Sequence, residues 1–165
     1  MGAASLARLY RAAGAVAILA AMAVGGCGTT RAAPPCPFRG EPDVAISAGC
    51  LVQVHGKILV VVSSKGGVTP PGGKTREGES AQCAAHRETW EETGLNLMPG
   101  QLIHVFDTGF HLYHCEIHSG SGGVELGSLR EVRGWRWLAI EDFDQVEWRY
   151  PGQGEALRRL LTQNE

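Results

Sequence analysis

The sequence has no excess of basic residues and no internal repeat. Its 165 residues include 15 basic and 17 acidic side chains, which gives a formal net charge of −2. A general nucleic-acid-binding protein needs a basic surface to neutralise phosphates, so nucleic acid is not an expected partner. With 44% apolar residues and no repeat, the chain is expected to form one domain around one core.

The sequence also lacks an amino-terminal apolar run long enough to span a bilayer comfortably. Two arginines precede the run Ala12–Val24, which has the proportions of a secretory signal. The next residues end in Val-Gly-Gly-Cys, which resembles a bacterial lipobox and implies cleavage before Cys27 and lipidation of its thiol. We therefore expect residues 1–26 to be a signal peptide and the protein to be exported as a membrane-anchored lipoprotein facing the periplasm. An uncleaved anchor and a plain secretory signal are the alternatives.

No periodic hydrophobic pattern follows this signal. Gly28 to about Pro37 consists mostly of Ala, Pro, Thr and Arg, so residues 27–43 are expected to form a flexible tether before a domain at 44–165. Cleavage would remove two of the 15 basic residues and leave a net charge of −4. The mature chain is therefore no better suited to nucleic acid than the precursor.

Four cysteines remain once Cys27 is set aside: Cys36, Cys50, Cys83 and Cys115. An even number in an exported chain favours disulfides, and four cysteines allow three pairings. We favour Cys83–Cys115, which would join a helix to a later strand, and Cys36–Cys50, which would attach the tether to the first strand. Four buried free thiols are the alternative.

A cluster of glutamates falls on one predicted helix. The interval Ser80–Thr93 contains neither Gly nor Pro and is followed by Gly94, which predicts a helix of about four turns. Glu88, Glu91 and Glu92 are three or four residues apart, so they share one side of that helix. A divalent cation would remove their mutual repulsion, since Mg²⁺ prefers oxygen ligands and bridges carboxylates to substrate phosphates. A solvated acidic face is the ordinary alternative.

The stretch Gly73–Leu95 resembles the Nudix box, G-x5-E-x7-R-E-U-x-E-E-x-G-U, where U is bulky and apolar. Every fixed position matches, and Thr89 at one U position is a change in packing rather than in chemistry. The resemblance implies an α+β fold, the Nudix-type α/β/α sandwich with a mixed β-sheet between helices. It also implies a hydrolase that uses Mg²⁺, or Mn²⁺, to cleave the pyrophosphate bond of a nucleoside diphosphate linked to another group.

The resemblance also suggests a role for each position of the box. Arg87 is expected to form an ion pair that holds the box carboxylates, and Glu79 to be a supporting ligand. One of the box glutamates, or Glu131, is expected to accept the proton from water, and Glu125 is a second candidate from that later region. The catalytic candidates are Arg87, Glu88, Glu91, Glu92 and Glu131, and the candidate metal ligands are Glu79, Glu88, Glu91, Glu92 and the carbonyl of Gly72.

Of two competing sites, one is rejected on its spacing and the other is disfavoured by the alternation of side chains along a strand. Gly73-Lys74-Thr75 ends like a phosphate-binding P-loop, but Val68 occupies the position of the first glycine. A zinc site is disfavoured because, on a strand, His111 and Cys115 face away from His114 and His118.

The remaining pattern predicts mostly strands. These are Val44–Val54, Lys57–Ser63, Leu102–Phe106, Phe110–Ile117 and Glu131–Ile140, followed by a helical turn at Asp142–Val146 and a closing helix after Gly154. Four aromatic residues are candidates for stacking on a base, although burial in the core is the more frequent role: Trp135, Trp137, Trp148 and Tyr150.

A lipid-anchored Nudix-fold module that binds nucleotides without turnover is the alternative function. The intact glutamates of the box favour the enzyme. The sequence does not predict an oligomeric state.

Overall fold

The computed structural model describes residues 32–119, 121 and 132–163. In chain order, the elements are β1 (Ser47–Leu51), β2 (Gln53–Val54), β3 (Lys57–Ser63), β4 (Val68–Thr69), β5 (Gly72–Lys74), α1 (Ala81–Thr93), β6 (Leu97–Val105), β7 (Phe110–Ile117), β8 (Val132–Ala139), a 3-10 helix (Ile140–Gln145) and α2 (Gln153–Thr162). In these ranges, no helix has both the length and the apolar character needed to cross a membrane. The predicted signal peptide, Cys27, Glu125 and Glu131 lie outside the described residues.

The described strands form two four-stranded sheets. The first has the order β5-β1-β7-β6 and is mixed, because β1 runs parallel to β7 and antiparallel to β5. In the second sheet, β3 pairs antiparallel with β2, β4 and β8. The predicted strand Val44–Val54 is therefore divided, since β1 joins the first sheet and only β2 forms the expected hairpin with β3.

Alternate residues of the strands face two different helices. Ala48 and Cys50 of β1 pack in one core with the alanines of α1, whereas Leu51 packs in a second core with Leu157 of α2. Successive side chains of a strand point to opposite faces, so each face is covered by one helix. The predicted α+β architecture, with a mixed sheet between helices, is confirmed.

Local sequence fixes both ends of α1. The Ser80 side chain accepts a hydrogen bond from the backbone N–H of Cys83 at 3.3 Å, which satisfies a donor of the first turn. Gly94 has φ 71°, and its N–H donates to the carbonyl of Trp90 at 2.8 Å. This left-handed conformation favours glycine, which explains why the helix ends there.

The predicted disulfide pairing is wrong. The structure joins Cys36 to Cys83 and Cys50 to Cys115, with Cα–Cα distances of 5.4 Å in both. Cys50 pairs in register with Tyr113 on the parallel neighbour β7, and Cys115 lies two residues further along the same α1-facing side. Because β1 and β7 are far apart in sequence, local pattern gave no sign of this proximity.

The segment before β1 is attached to the start of α1. Cys36 is bonded to Cys83, and the backbone N–H of Asp43 donates to Oε1 of Gln82 at 3.0 Å. The carboxyl-terminal part of the expected tether, residues 36–43, is therefore held against the helix that carries the glutamate cluster.

Candidate active site

Strand β5 brings two glycines against the glutamates of α1. The N–H of Gly72 donates to Oε2 of Glu92 at 2.9 Å. A Cβ atom at Gly73 would collide with the carboxylate of Glu88. The missing side chain of Gly73 thus allows the strand to approach the acidic face of the helix closely, whereas a Cβ at Gly72 would meet the backbone of β1.

Arg87 lies buried among the box carboxylates. Its Nε and Nη2 atoms donate to the two oxygens of Glu79, each at 2.8 Å. Nη1 donates to Glu88 at 2.6 Å and to Glu91 at 3.3 Å, and Nη2 also reaches the carbonyl of Lys74 at 2.9 Å. One guanidinium therefore connects three glutamates to β5.

The hydrogen bonds of this cluster keep Glu79 and Arg87 charged. The hydrogen bond from Arg87 holds the pKa of Glu79 below its ordinary value, and burial opposes this only in part. The hydrogen bond to Glu79 raises the pKa of Arg87 above its ordinary range. Both oxygens of Glu79 are engaged by Arg87, so in this arrangement Glu79 supports the other glutamates rather than facing a ligand.

A cleft of about 490 Å³ opens beside the box, and we call it the catalytic cleft. Its lining combines the carboxylates of Glu88 and Glu92 with the cationic side chains of Lys65, Lys74 and Arg149. Carboxylates of this kind suit a hard divalent cation, and the three cations suit phosphate oxygens. The cleft therefore has the charge pattern expected for a metal-bound polyanion.

The cations of the catalytic cleft were missed by sequence analysis. Lys65 follows β3, and Arg149 lies just before α2. Nη1 of Arg149 donates to Oγ of Ser63 at 2.9 Å, and its backbone N–H donates to the carbonyl of Val68 at 2.9 Å. The long-range pairing that places Arg149 beside the box leaves no signature in local spacing.

The residues of the cleft fit a divalent cation by their chemistry. Within the described ranges, no three acidic, histidine or cysteine side chains converge as a preformed metal site. Glu88 and Glu92 nevertheless line the same cleft, and Gly73 lacks the Cβ that would fill the space beside Glu88. Glu91 lies on the same helix but is held by Arg76 at 3.1 Å as well as by Arg87. Hard oxygen donors of this kind are those that Mg²⁺ and Mn²⁺ prefer.

The four aromatic residues that are candidates for stacking on a base lie in different environments. Tyr150 lines the catalytic cleft. Trp135 and Trp137 instead pack against the core beneath α1. The indole N–H of Trp148 donates to the carbonyl of Phe143 at 3.0 Å, so Trp148 has a structural partner.

Comparisons with known proteins agree with this geometry. A family model described as NUDIX domain matches residues 43–160. The fold is similar to that of an ADP-ribose pyrophosphatase from Streptococcus suis, at 19% identity over 73% of this chain and 92% of that chain, with a TM-score of 0.61. It is also similar to a MutT protein from Methanosarcina mazei Go1, at 23% identity over 77% and 99%, with a TM-score of 0.58. An Ap4A hydrolase from C. elegans matches at 22% identity over 72% and 97%, with a TM-score of 0.56.

At these identities the solved structures establish a shared fold, and the family match extends over most of the chain. The matched region contains the complete glutamate cluster, Arg87 and the glycine pair of β5. The chain therefore belongs to the Nudix hydrolase family.

Proposed function

We propose that this Nudix hydrolase cleaves the pyrophosphate bond of a nucleoside diphosphate linked to another group, with Mg²⁺ or Mn²⁺ as cofactor. The observation that supports this function is the lining of the catalytic cleft, in which Glu88 and Glu92 lie with Lys65, Lys74 and Arg149. The two carboxylates alone would repel a pyrophosphate. A cation held by them, together with three basic side chains, complements such a substrate.

Each group has a distinct task in this proposal. Glu88, Glu91 and Glu92 hold the divalent cation, which would neutralise phosphate charge and lower the pKa of the attacking water. Lys65 and Arg149 bind the phosphate oxygens and orient the reacting phosphorus. Water attacks that phosphorus, the bridging bond breaks, and a phosphate ester leaves.

Arg87 acts as a positioning residue. Its hydrogen bond to Oε1 of Glu88, at 2.6 Å, fixes the direction of a carboxylate that lines the cleft. The proton of the attacking water passes to one of the box glutamates or to Glu131, a choice that the proposal leaves open.

The names of two similar structures support the proposed substrate class. One is named an ADP-ribose pyrophosphatase and another a UDP-X diphosphatase. Both names describe the cleavage of a diphosphate in a nucleotide derivative. We carry over to this chain only the class, a nucleoside diphosphate derivative.

We further propose that the domain acts outside the cytoplasm, anchored to the membrane through a lipidated Cys27 and facing the periplasm. The two disulfides support this, because such bonds persist in oxidising compartments. Nucleotide sugars, dinucleotides and pyrophosphorylated envelope intermediates are then the substrates to sample.

The test uses the protein comprising residues 28–165 and a panel of substrates that contains ADP-ribose, UDP-sugars and dinucleotides. A coupled phosphatase releases phosphate from the products, and this phosphate is measured. Glu92→Gln preserves an oxygen that can accept from Gly72 but removes the charge, so turnover should fall at least about a hundredfold. Glu77→Gln is the matched control, because Glu77 is an exposed glutamate of the same stretch. Full activity of Glu92→Gln would contradict the metal role, and nucleotide binding without turnover would favour the binding module.

A further inference from the structure

Two segments that are far apart in the sequence meet where the catalytic cleft carries its cations. One is the turn between β3 and β4, which carries Lys65, and the other is the segment 147–149 before α2, which carries Arg149. The N–H of Val68 donates to the carbonyl of Glu147 at 2.8 Å, and the N–H of Arg149 donates back to the carbonyl of Val68 at 2.9 Å. The backbone of Arg149 is therefore fixed beside β4.

Gly67 allows this close approach of the two segments. It has φ 71°, and a Cβ atom there would lie 2.7 Å from the backbone nitrogen of Arg149 and 2.8 Å from its Cα. The two segments thus pack backbone against backbone. The freedom that remains lies in the long side chain of Arg149, and ordering such a side chain on ligand binding costs conformational entropy.

The hydroxyl of Ser63 restricts that side chain. Ser63 is the last residue of β3 and is only 1% exposed. Its Oγ accepts a hydrogen bond from the backbone N–H of Lys65 at 3.1 Å and another from Nη1 of Arg149 at 2.9 Å. Because the bond from Lys65 holds the hydroxyl in place, Ser63 offers Arg149 a fixed acceptor that is shielded from bulk water.

This contact leaves the charge of Arg149 available to a ligand. The hydroxyl of Ser63 is neutral, whereas Arg87 is paired with carboxylates. A guanidinium has several N–H donors, and the bond to Ser63 engages one nitrogen. The Cζ atom of Arg149 also lies 5.4 Å from the ring centre of Tyr150, which lines the catalytic cleft with it. Arg149 is thus held in place but not neutralised.

We propose that Ser63 is a positioning residue, which accepts a hydrogen bond from Arg149 and so holds the guanidinium in the direction in which it binds a phosphate oxygen of the substrate. This rests on the proposed function, in which Arg149 binds the pyrophosphate. A cationic side chain that is already ordered binds an anion at a lower entropic cost. Loss of the hydroxyl should therefore weaken anion binding, although no charge is removed.

The first test measures binding of methylenediphosphonate, a pyrophosphate analogue whose carbon bridge resists hydrolysis. Dissociation constants are measured by calorimetry with Mg²⁺, on the full-length protein with its disulfides intact. Ser63→Ala should bind the analogue about tenfold more weakly than wild type, the scale of one hydrogen bond to a charged group. Ser63→Thr keeps the acceptor oxygen and should stay within about twofold of wild type.

Binding of Mn²⁺ to the same variants controls for damage to the fold. The box glutamates lie on α1 and not on β3, so Ser63→Ala should leave the dissociation constant of Mn²⁺ unchanged. Ser119→Ala is the matched control, because Ser119 is an exposed serine after β7. It should behave as wild type in both measurements.

A double-mutant cycle tests whether Ser63 acts through Arg149. Arg149→Ala should weaken binding of the analogue more than Ser63→Ala does, since it removes the charge itself. In the Arg149→Ala background, Ser63→Ala should then change the affinity by less than about twofold. A general loosening of the turn would instead weaken binding by the same factor in both backgrounds.

The outcomes separate this inference from the proposed function. Wild-type affinity of Ser63→Ala for the analogue, an equal loss in both backgrounds, or a parallel loss of Mn²⁺ affinity would each overturn the inference. Coupling between Ser63 and Arg149 without hydrolysis of any nucleoside diphosphate derivative would instead overturn the proposed function. Where hydrolysis occurs, Ser63→Ala should raise KM by the factor measured for the analogue and change kcat less.

Discussion

Gly73 and Glu88 approach each other so closely that no side chain fits between them. The contact joins an edge strand to the third turn of α1, and the carboxylate involved lines the catalytic cleft. A Cβ at this position would thus displace the end of the Glu88 side chain. The backbone conformation itself does not call for glycine, since Gly73 is absent from the described residues with positive φ.

Gly73→Ala is expected to displace the Glu88 carboxylate and reduce kcat/KM by about 10–100-fold, the usual scale for disturbing the support of a metal site. The measurement is Mg²⁺-dependent hydrolysis together with the dissociation constant of Mn²⁺. Gly134→Ala is the control, because a Cβ at Gly134 would meet nothing within 4 Å. Equal activity of the two variants would show that the Gly73 contact does not matter.

Arg87→Lys should lower both activity and stability, although it preserves the charge. Lysine cannot reproduce the pair of hydrogen bonds to Glu79 while also reaching Glu88. We expect the free energy of unfolding to fall by about 2 kcal/mol. Urea denaturation measures this, with Arg76→Lys as control, since Arg76 is largely exposed in its pair with Glu91. A loss no larger than that of the control would contradict the role of Arg87.

The two disulfides should differ in their ease of reduction. Cys50 and Cys115 are 0% and 2% exposed, whereas Cys36 and Cys83 are half-buried. Mild reductant is expected to open Cys36–Cys83 first, because thiol exchange requires access to a sulfur. Removing either bond by paired Cys→Ala substitution should cost about 2–4 kcal/mol of unfolding free energy.

Peptide mapping of the oxidised protein by mass spectrometry, without reductant, checks these bonds directly. Linked peptides that join Cys83 to Cys115 would contradict the pairing. Alkylation of the thiols released at increasing reductant concentration gives the order in which the two disulfides are reduced. Release of Cys115 before Cys36 and Cys83 would contradict the expected order.

His86 should make the protein less stable in mild acid. Burial lowers the pKa of His86, and its hydrogen bond with Asn96 at 2.9 Å offsets this only in part. The unfolded chain therefore takes up a proton near pH 6.5 that the folded protein binds only at lower pH, so stability falls as the pH drops below that value. Unfolding free energies from pH 8 to pH 5 measure the slope.

His86→Gln should flatten the pH dependence, whereas the exposed His114→Gln should not. Glu79 does not interfere with the measurement, because the stability that its lowered pKa contributes is lost mainly below its ordinary value of 4.5. A slope that persists unchanged in His86→Gln would contradict the assignment.

The parts of the fold that depend on interactions between residues close in sequence were predictable. Ser80 and Gly94 mark the ends of a helix that the structure places at Ala81–Thr93. The predicted strands Lys57–Ser63 and Phe110–Ile117 are confirmed at both ends. Alternation and capping act over a few residues, so they leave a readable pattern.

Long-range pairing was not predictable in the same way. Strands β4 and β5 fall in a segment rich in Gly and Pro, and only pairing with β3 and β1 makes them extended. The disulfide pairing failed for the same reason, because the parallel contact of β1 with β7 brings Cys50 to Cys115. Arg149 was missed for the same reason. Tyr150 was a candidate because its aromatic ring could stack on a base, and it does line the catalytic cleft.

If the chain is anchored through Cys27 as proposed, the bond between Cys36 and Cys83 limits how far α1 can lie from the bilayer. Eight residues lie between Cys27 and Cys36, and the nine residue steps of a fully extended chain span at most about 32 Å. Under the proposed anchoring, α1 would therefore stay close to the lipid headgroups, because its disulfide to Cys36 leaves only this short stretch of chain between the helix and the lipid anchor. Substrates that gather at the membrane surface would meet this enzyme far more often than molecules dispersed through the surrounding volume.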